Sequence, residues 1–191
     1  MAKQQNQNDQ PAKARIGSIG ENLVVAKLMQ QGWDAFNANC TIKNYKSIDI
    51  VCLDSNSKES NEHWWKPKTS LVQVKTSVEN TIPAGFSIED SLNKDYLEKM
   101  VKGPYVFVSA TKEDFSFRFF ILSRHQFIEL LHNAYVFYDK THSSQEEKSA
   151  PACLYVSWLE GGTFFSPRFQ EEFGNPIKES CENKWENIWK E

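Results

Sequence analysis

Asp49, Gln73 and Lys75 are the residues whose types and spacing point most directly to chemistry. Asp49 lies in the run Ser47-Ile-Asp-Ile-Val-Cys-Leu53, and the other two lie in Leu71-Val-Gln-Val-Lys-Thr-Ser77. Both runs have the length and apolar content of strands. Successive side chains on a strand point to opposite faces, so Gln73 and Lys75 share one face. A neighbouring strand that brings Asp49 beside them gathers a carboxylate, an amide oxygen and an ammonium. Phosphodiester hydrolysis needs such a set. Hard oxygen ligands hold a divalent cation that lowers the pKa of a water, and a fixed positive charge opposes the charge building in the transition state. Here Asp49 offers the carboxylate, Gln73 a weaker neutral oxygen and Lys75 the cation. The backbone carbonyl of Val74, between the last two, is a further candidate ligand.

Glu21 is a second carboxylate with two readings. In Ser18-Ile-Gly-Glu21 it completes a capping-box pattern at the start of a helix. It also shares a helix face with Val25 and Leu28, which points it inward toward a buried site. Gly17 and Gly20 permit close backbone approach under either reading.

These residues need elements to position them. The pattern predicts a helix over 15–31 ended by Gly32, then strands over 33–38, 47–53 and 71–77, with a long polar connection at 54–70. Residues 78–91, with Pro83 and Gly85, read as loop. A second helix over 92–102, strands over 105–110 and 115–122, and a third helix over 124–133 follow, the last with Ser123 as N-cap. Residues 139–152 are polar. A last strand at 153–158 and a closing helix over 179–190 complete the chain. The segment from Phe164 is dense in aromatic residues, which read as core, lid or self-association surface.

Gly17-x-x-Gly20-Glu21, then Ile48-Asp49-Ile50, then Val72-Gln-Val-Lys-Thr76 resembles the PD-(D/E)XK nuclease superfamily. The pattern is most similar to the Holliday junction resolvase-like and homing-endonuclease-like branches. The resemblance covers residues 15–122. It implies an α/β fold: a restriction endonuclease-like mixed sheet flanked by helices, with an α-β-β-β-α-β core and here a C-terminal aromatic-rich extension. It also implies a metal-dependent nuclease using Mg²⁺ or Mn²⁺, with Asp49 as central metal ligand, Lys75 as catalytic lysine and Glu21 as the helix acid. Gln73 stands where Glu or Asp is usual, which weakens the metal site. A catalytically inactive module of the same fold, binding nucleic acid or a protein partner, is the alternative.

The expected organisation is a disordered tail at 1–14, a nuclease-like core at 15–135, and a C-terminal extension at 136–191 that packs on the core or mediates a homodimer. With 191 residues and 40% hydrophobic content the chain suits a globular domain. The net charge of −3 gives no global signature of nucleic-acid binding, and its distribution is uneven. Residues 1–105 hold 13 Lys and Arg against 12 Asp and Glu, whereas residues 106–191 hold 9 against 13. A DNA-binding face, for duplex or branched DNA, is therefore local and expected in the first half. Arg15, Lys43, Lys46, Lys66 and Lys68 are its candidate phosphate contacts. Lys94, Lys99 and Lys102 read as a solvated helix face. His125 and His132 are too widely spaced for paired helix ligands to zinc. Four scattered cysteines and no long apolar run point to a reduced, cytoplasmic protein without a membrane span.

Overall fold

A computed structural model describes residues 10–38, 48–56, 67–111, 116–142, 148–161 and 165–191. In chain order the elements are α1 (Gln10–Gln30), β1 (Asp34–Asn37), β2 (Ile50–Asp54), β3 (Lys68–Ser77), β4 (Thr81–Ser87), α2 (Ile88–Leu92), α3 (Lys94–Met100), β5 (Tyr105–Ala110), β6 (Phe117–Leu122), α4 (Arg124–Thr141), β7 (Pro151–Tyr155), α5 (Val156–Leu159), α6 (Pro167–Phe173) and a 3-10 helix, Trp185–Trp189. The main sheet has five strands in the order β1-β2-β3-β5-β6, and β4 pairs with β7 in a separate two-stranded sheet. β3 and β5 run parallel, while the other pairs of the main sheet are antiparallel. The chain is thus a mixed α/β sheet flanked by helices. The expected succession of helix, three strands, helix and strand is present, with β4 intercalated after the third strand. No described helix is long and apolar enough to cross a membrane.

Alternation along β3 and β5 sends apolar side chains to both faces of the sheet. Val72, Val74, Val106 and Val108 meet Val24 and Leu28 of α1, together with Trp185 and Ile188. Val24 and Leu28 are fully buried, each stabilising the fold by roughly 1.5–3 kcal/mol. On the other face Tyr105 and Phe107 join Phe127, Ile128 and Leu131 of α4, Leu97 of α3, and Ile82 and Ala84 of β4. The C-terminal aromatics serve both faces. Phe165 stacks on Phe169 at 4.3 Å, and Trp185 packs at 5.6 Å from Phe119.

Several boundaries differ from expectation. Helix α1 begins at Gln10 rather than Arg15, so residues 10–14 of the expected tail are helical. Pro11 falls in its first turn, where the missing N–H has no helical acceptor to satisfy. Residues 81–87 form a strand, not a loop. Ile82 and Ala84 point inward while Pro83 and Gly85 point out, an alternation masked by two residues that usually break strands. Residues 88–91, read as loop, belong to a short helix capped by Ser87, and the helix expected over 92–102 is Lys94–Met100, started by the Asn93 side chain, which accepts the Tyr96 N–H. Helix α4 continues to Thr141 and crosses the expected boundary at 135/136. The last strand gives way to a helical turn at Val156, and the closing helix is reduced to Trp185–Trp189.

Candidate active site

The ladder between β2 and β3 ends at Ile50 opposite Val72. One residue beyond, the Asp49 N–H still donates to the Val72 carbonyl at 3.1 Å. The next β3 amide, that of Val74, donates instead to the Asp49 side chain at 2.8 Å from Oδ2. The strands part at this point, and a carboxylate fills the gap. Gln73 Nε2 donates to the same Oδ2. Gln73 pairs in register with Tyr105, and Lys75 with Phe107, so both lie on the face opposite α1.

Glu21 approaches from α1. Its Oε2 accepts from Asn37 Nδ2 at 2.8 Å. Its carboxyl is held above its ordinary range, first by burial, against which the Asn37 hydrogen bond works; the Asp49 carboxylate raises it further and the Lys75 ammonium lowers it. Glu21 therefore lies within the fields of both Asp49 and Lys75. Ser18 and Glu21 sit well inside α1, which leaves no helix start for them to cap. The capping-box reading of Glu21 is overturned, and the inward-pointing acid remains.

Two glycines set the clearances around β3. A Cβ on Gly20 would stand 1.9 Å from Thr76 Oγ1, so α1 can cross β3 this closely only with glycine there. Gly85 on β4 has φ +89°, and a Cβ on it would lie 3.1 Å from Lys75 Cε and 3.4 Å from Nζ. The head of Lys75 thus rests against the bare backbone of β4. Gly17 meets nothing in this way. Asn37 and Tyr105 were not singled out from the sequence, and Gly85 was read only as part of a loop. Asn37 carries a signal in retrospect, since with Ala35 it forms the less exposed face of β1.

The site contains loose polar ends. Gln73 Oε1 and Thr76 Oγ1 are buried without a hydrogen-bond partner. Such a group costs roughly 1–3 kcal/mol, and it marks a place where something else can bind. Burial, and then the Asp49 charge, push the Tyr105 hydroxyl up, so that it remains a neutral neighbour.

Among the described residues no three of His, Cys, Asp and Glu gather as a metal-binding group. Asp49 and Glu21 are two carboxylates, and the Gln73 amide and Val74 carbonyl are neutral oxygens. An all-oxygen set with one or two carboxylates suits Mg²⁺ or Mn²⁺, whose remaining positions water and phosphate fill. The unpartnered buried Gln73 Oε1 is the observation that makes the fit.

The remaining candidates divide. Lys43, Lys46 and Lys66 lie outside the described residues. Arg15 is exposed on the first half of α1. Lys68 is at the opposite end of β3 from the site, about 23 Å from Lys75 at roughly 3.3 Å per residue. Its ammonium lies 5.7 Å from the Trp189 ring centroid. Lys94 pairs with Glu129, and His132 Nδ1 is 3.1 Å from the Ser91 carbonyl, so both have structural partners. Buried Cys52 and Cys181, each pushed up to about 12 by burial, are free thiols without nucleophilic character.

Comparison of the chain with known protein families and with curated proteins finds no match.

Proposed function

We propose that this chain is a metal-dependent endonuclease of the PD-(D/E)XK type that hydrolyses DNA phosphodiester bonds. One observation carries the reading. Asp49, Gln73 and Glu21, from three separate parts of the chain, converge where β2 leaves β3, and Glu21 feels the charges of both Asp49 and Lys75. A bound Mg²⁺ or Mn²⁺ would supply charge neutralisation at the phosphate and a more acidic water. Asp49, Glu21, Gln73 and the Val74 carbonyl would hold that ion. Lys75 would orient the attacking water and donate to a phosphate oxygen as negative charge accumulates. The water oxygen bonds to phosphorus, the bond to the leaving sugar oxygen breaks, and that oxygen takes up a proton. Arg15, exposed on α1, would contact the DNA backbone.

A second reading has its own observation. Asp49 Oδ2 already accepts from Gln73 and from the Val74 N–H, which is what a purely structural cap on an unpaired strand amide would do. The same fold would then bind nucleic acid or a protein without cutting. Incubation with supercoiled, linear and branched DNA in Mg²⁺ or Mn²⁺ separates the two. Cleavage by the wild type that is lost in Asp49→Ala supports the nuclease. Absence of cleavage on all substrates, or its survival in Asp49→Ala, supports the module.

A further inference from the structure

We infer that Asn37 is a positioning residue, holding the Glu21 carboxylate in place for the divalent cation; this rests on the nuclease reading above. The Asn37 side chain lies between β1 and α1, where its Nδ2 donates to Glu21 Oε2 at 2.8 Å. The next residue ties down the other acid, because the Ala38 N–H donates to the Asp49 carbonyl at 2.8 Å. Asn37 itself pairs in register with Ile50, the residue after Asp49. The end of this one edge strand therefore connects to both carboxylate residues, and fixes an acid on a helix relative to an acid just before a strand.

The residue type suits the task. Glutamate has three rotatable side-chain bonds, and Glu21 reaches the site from a helix that packs on the other face of the sheet. A neutral amide donor restrains one carboxylate oxygen without cancelling its charge. Lys or Arg at this position would form an ion pair and compete with the cation for the carboxylate. Outer-shell donors of this kind orient metal ligands, and their loss lowers metal affinity by roughly 10–100-fold.

Mn²⁺ binding to the full chain, measured by isothermal titration calorimetry or by electron paramagnetic resonance, tests the role without relying on activity. In Asn37→Ala we expect Mn²⁺ affinity to fall about 10–100-fold, with the circular dichroism spectrum unchanged. In a Glu21→Gln background the same substitution should change the affinity by no more than about twofold, because it acts through Glu21. Asn37→Ser, which keeps a donor on a shorter side chain, provides a second variant if Asn37→Ala fails to fold. Wild-type affinity in both Asn37 variants, or an equal loss with and without the Glu21 carboxylate, overturns the positioning role and leaves the nuclease reading intact. A wild type that binds no Mn²⁺ overturns the metal site itself, and the role of Asn37 with it.

Discussion

Two clusters of charged and polar side chains lie on this sheet, and they are finished differently. Near the C-terminus, Arg118 on β6 donates to Glu182 through Nε at 3.0 Å and Nη2 at 2.7 Å, and to Glu160 through Nη1 at 2.7 Å. Fork geometry is matched, both carboxylates are engaged, and the guanidinium also lies 4.9 Å from the Phe120 ring centroid. At the parting of β2 and β3, two carboxylates lie in one another's field, an amide oxygen is buried unpartnered, and a lysine rests against a glycine. The first cluster uses opposite charges to tie β6 to the segments after β7. The second concentrates like charge and leaves hydrogen-bonding capacity unspent. Folding alone does not favour the second arrangement, whereas a site that binds a cation and a phosphate does.

The largest expected effect separates the clusters by activity. Lys75→Ala should lower the single-turnover rate of DNA cleavage by roughly 10²–10³, as loss of a transition-state donor does. Arg118→Ala should leave that rate unchanged. Equal losses in both variants would erase the distinction.

Next comes the packing that brings α1 to the site. Gly20→Ala should destabilise the fold by about 1–3 kcal/mol in urea titration, because its Cβ meets Thr76 Oγ1 at 1.9 Å. Thr76→Ala should relieve part of that loss. In an open helix the same change would stabilise by roughly 1 kcal/mol, so the sign alone reports the contact.

Arg118→Ala should cost about 1–2 kcal/mol, discounted because the side chain is 39% exposed. That corresponds to a melting temperature lower by roughly 2–8 °C for a chain of this size. Loss of only one partner, in Glu160→Gln, should cost less than loss of Arg118.

The smallest effect is in pH dependence, and it has opposite sign in the two clusters. Burial, only partly offset by Asn37, raises the Glu21 carboxyl above 4.5, so the folded chain holds that proton more tightly than the unfolded chain. Stability is then undiminished below pH 4.5 and declines as pH rises through the higher folded value. Glu182 is lowered from 4.5, first by its hydrogen bond from Arg118, so its contribution is full above that value and declines as pH falls through the lower one. Above pH 4.5 and without metal, Glu21→Gln should therefore shift the urea midpoint up and Glu182→Gln should shift it down. Shifts of the same sign would contradict the contrast.

Much of the site was legible because strand alternation is a local property. The two-residue spacing of Gln73 and Lys75 is enough to place them on one face, and the apolar residues around Asp49 mark its strand. Glu21 was legible only as an ambiguity. Its resolution depended on where α1 starts, and Pro11 is a weaker signal than the serine at position 18. The strand at 81–87 was hidden because Pro83 and Gly85 usually break strands; here they take the outward positions of a two-stranded edge pairing whose register shifts between Pro83 and Ser87. Asn37 beside Glu21 is a contact across sixteen residues that no local pattern encodes, whereas Gly85 lies in the segment that directly follows Lys75, and only the strand that carries it was hidden.

The comparison turns on whether the junction of β2 and β3 is an open liganding site or a closed structural cap. Crystals soaked in Mn²⁺ and measured at the manganese absorption edge test this directly. An anomalous peak in contact with Asp49 and Glu21, absent from Asp49→Ala crystals, is the expected result. The contradicting result is no peak at that position while the Gln73 amide and the Val74 N–H remain hydrogen-bonded to Asp49.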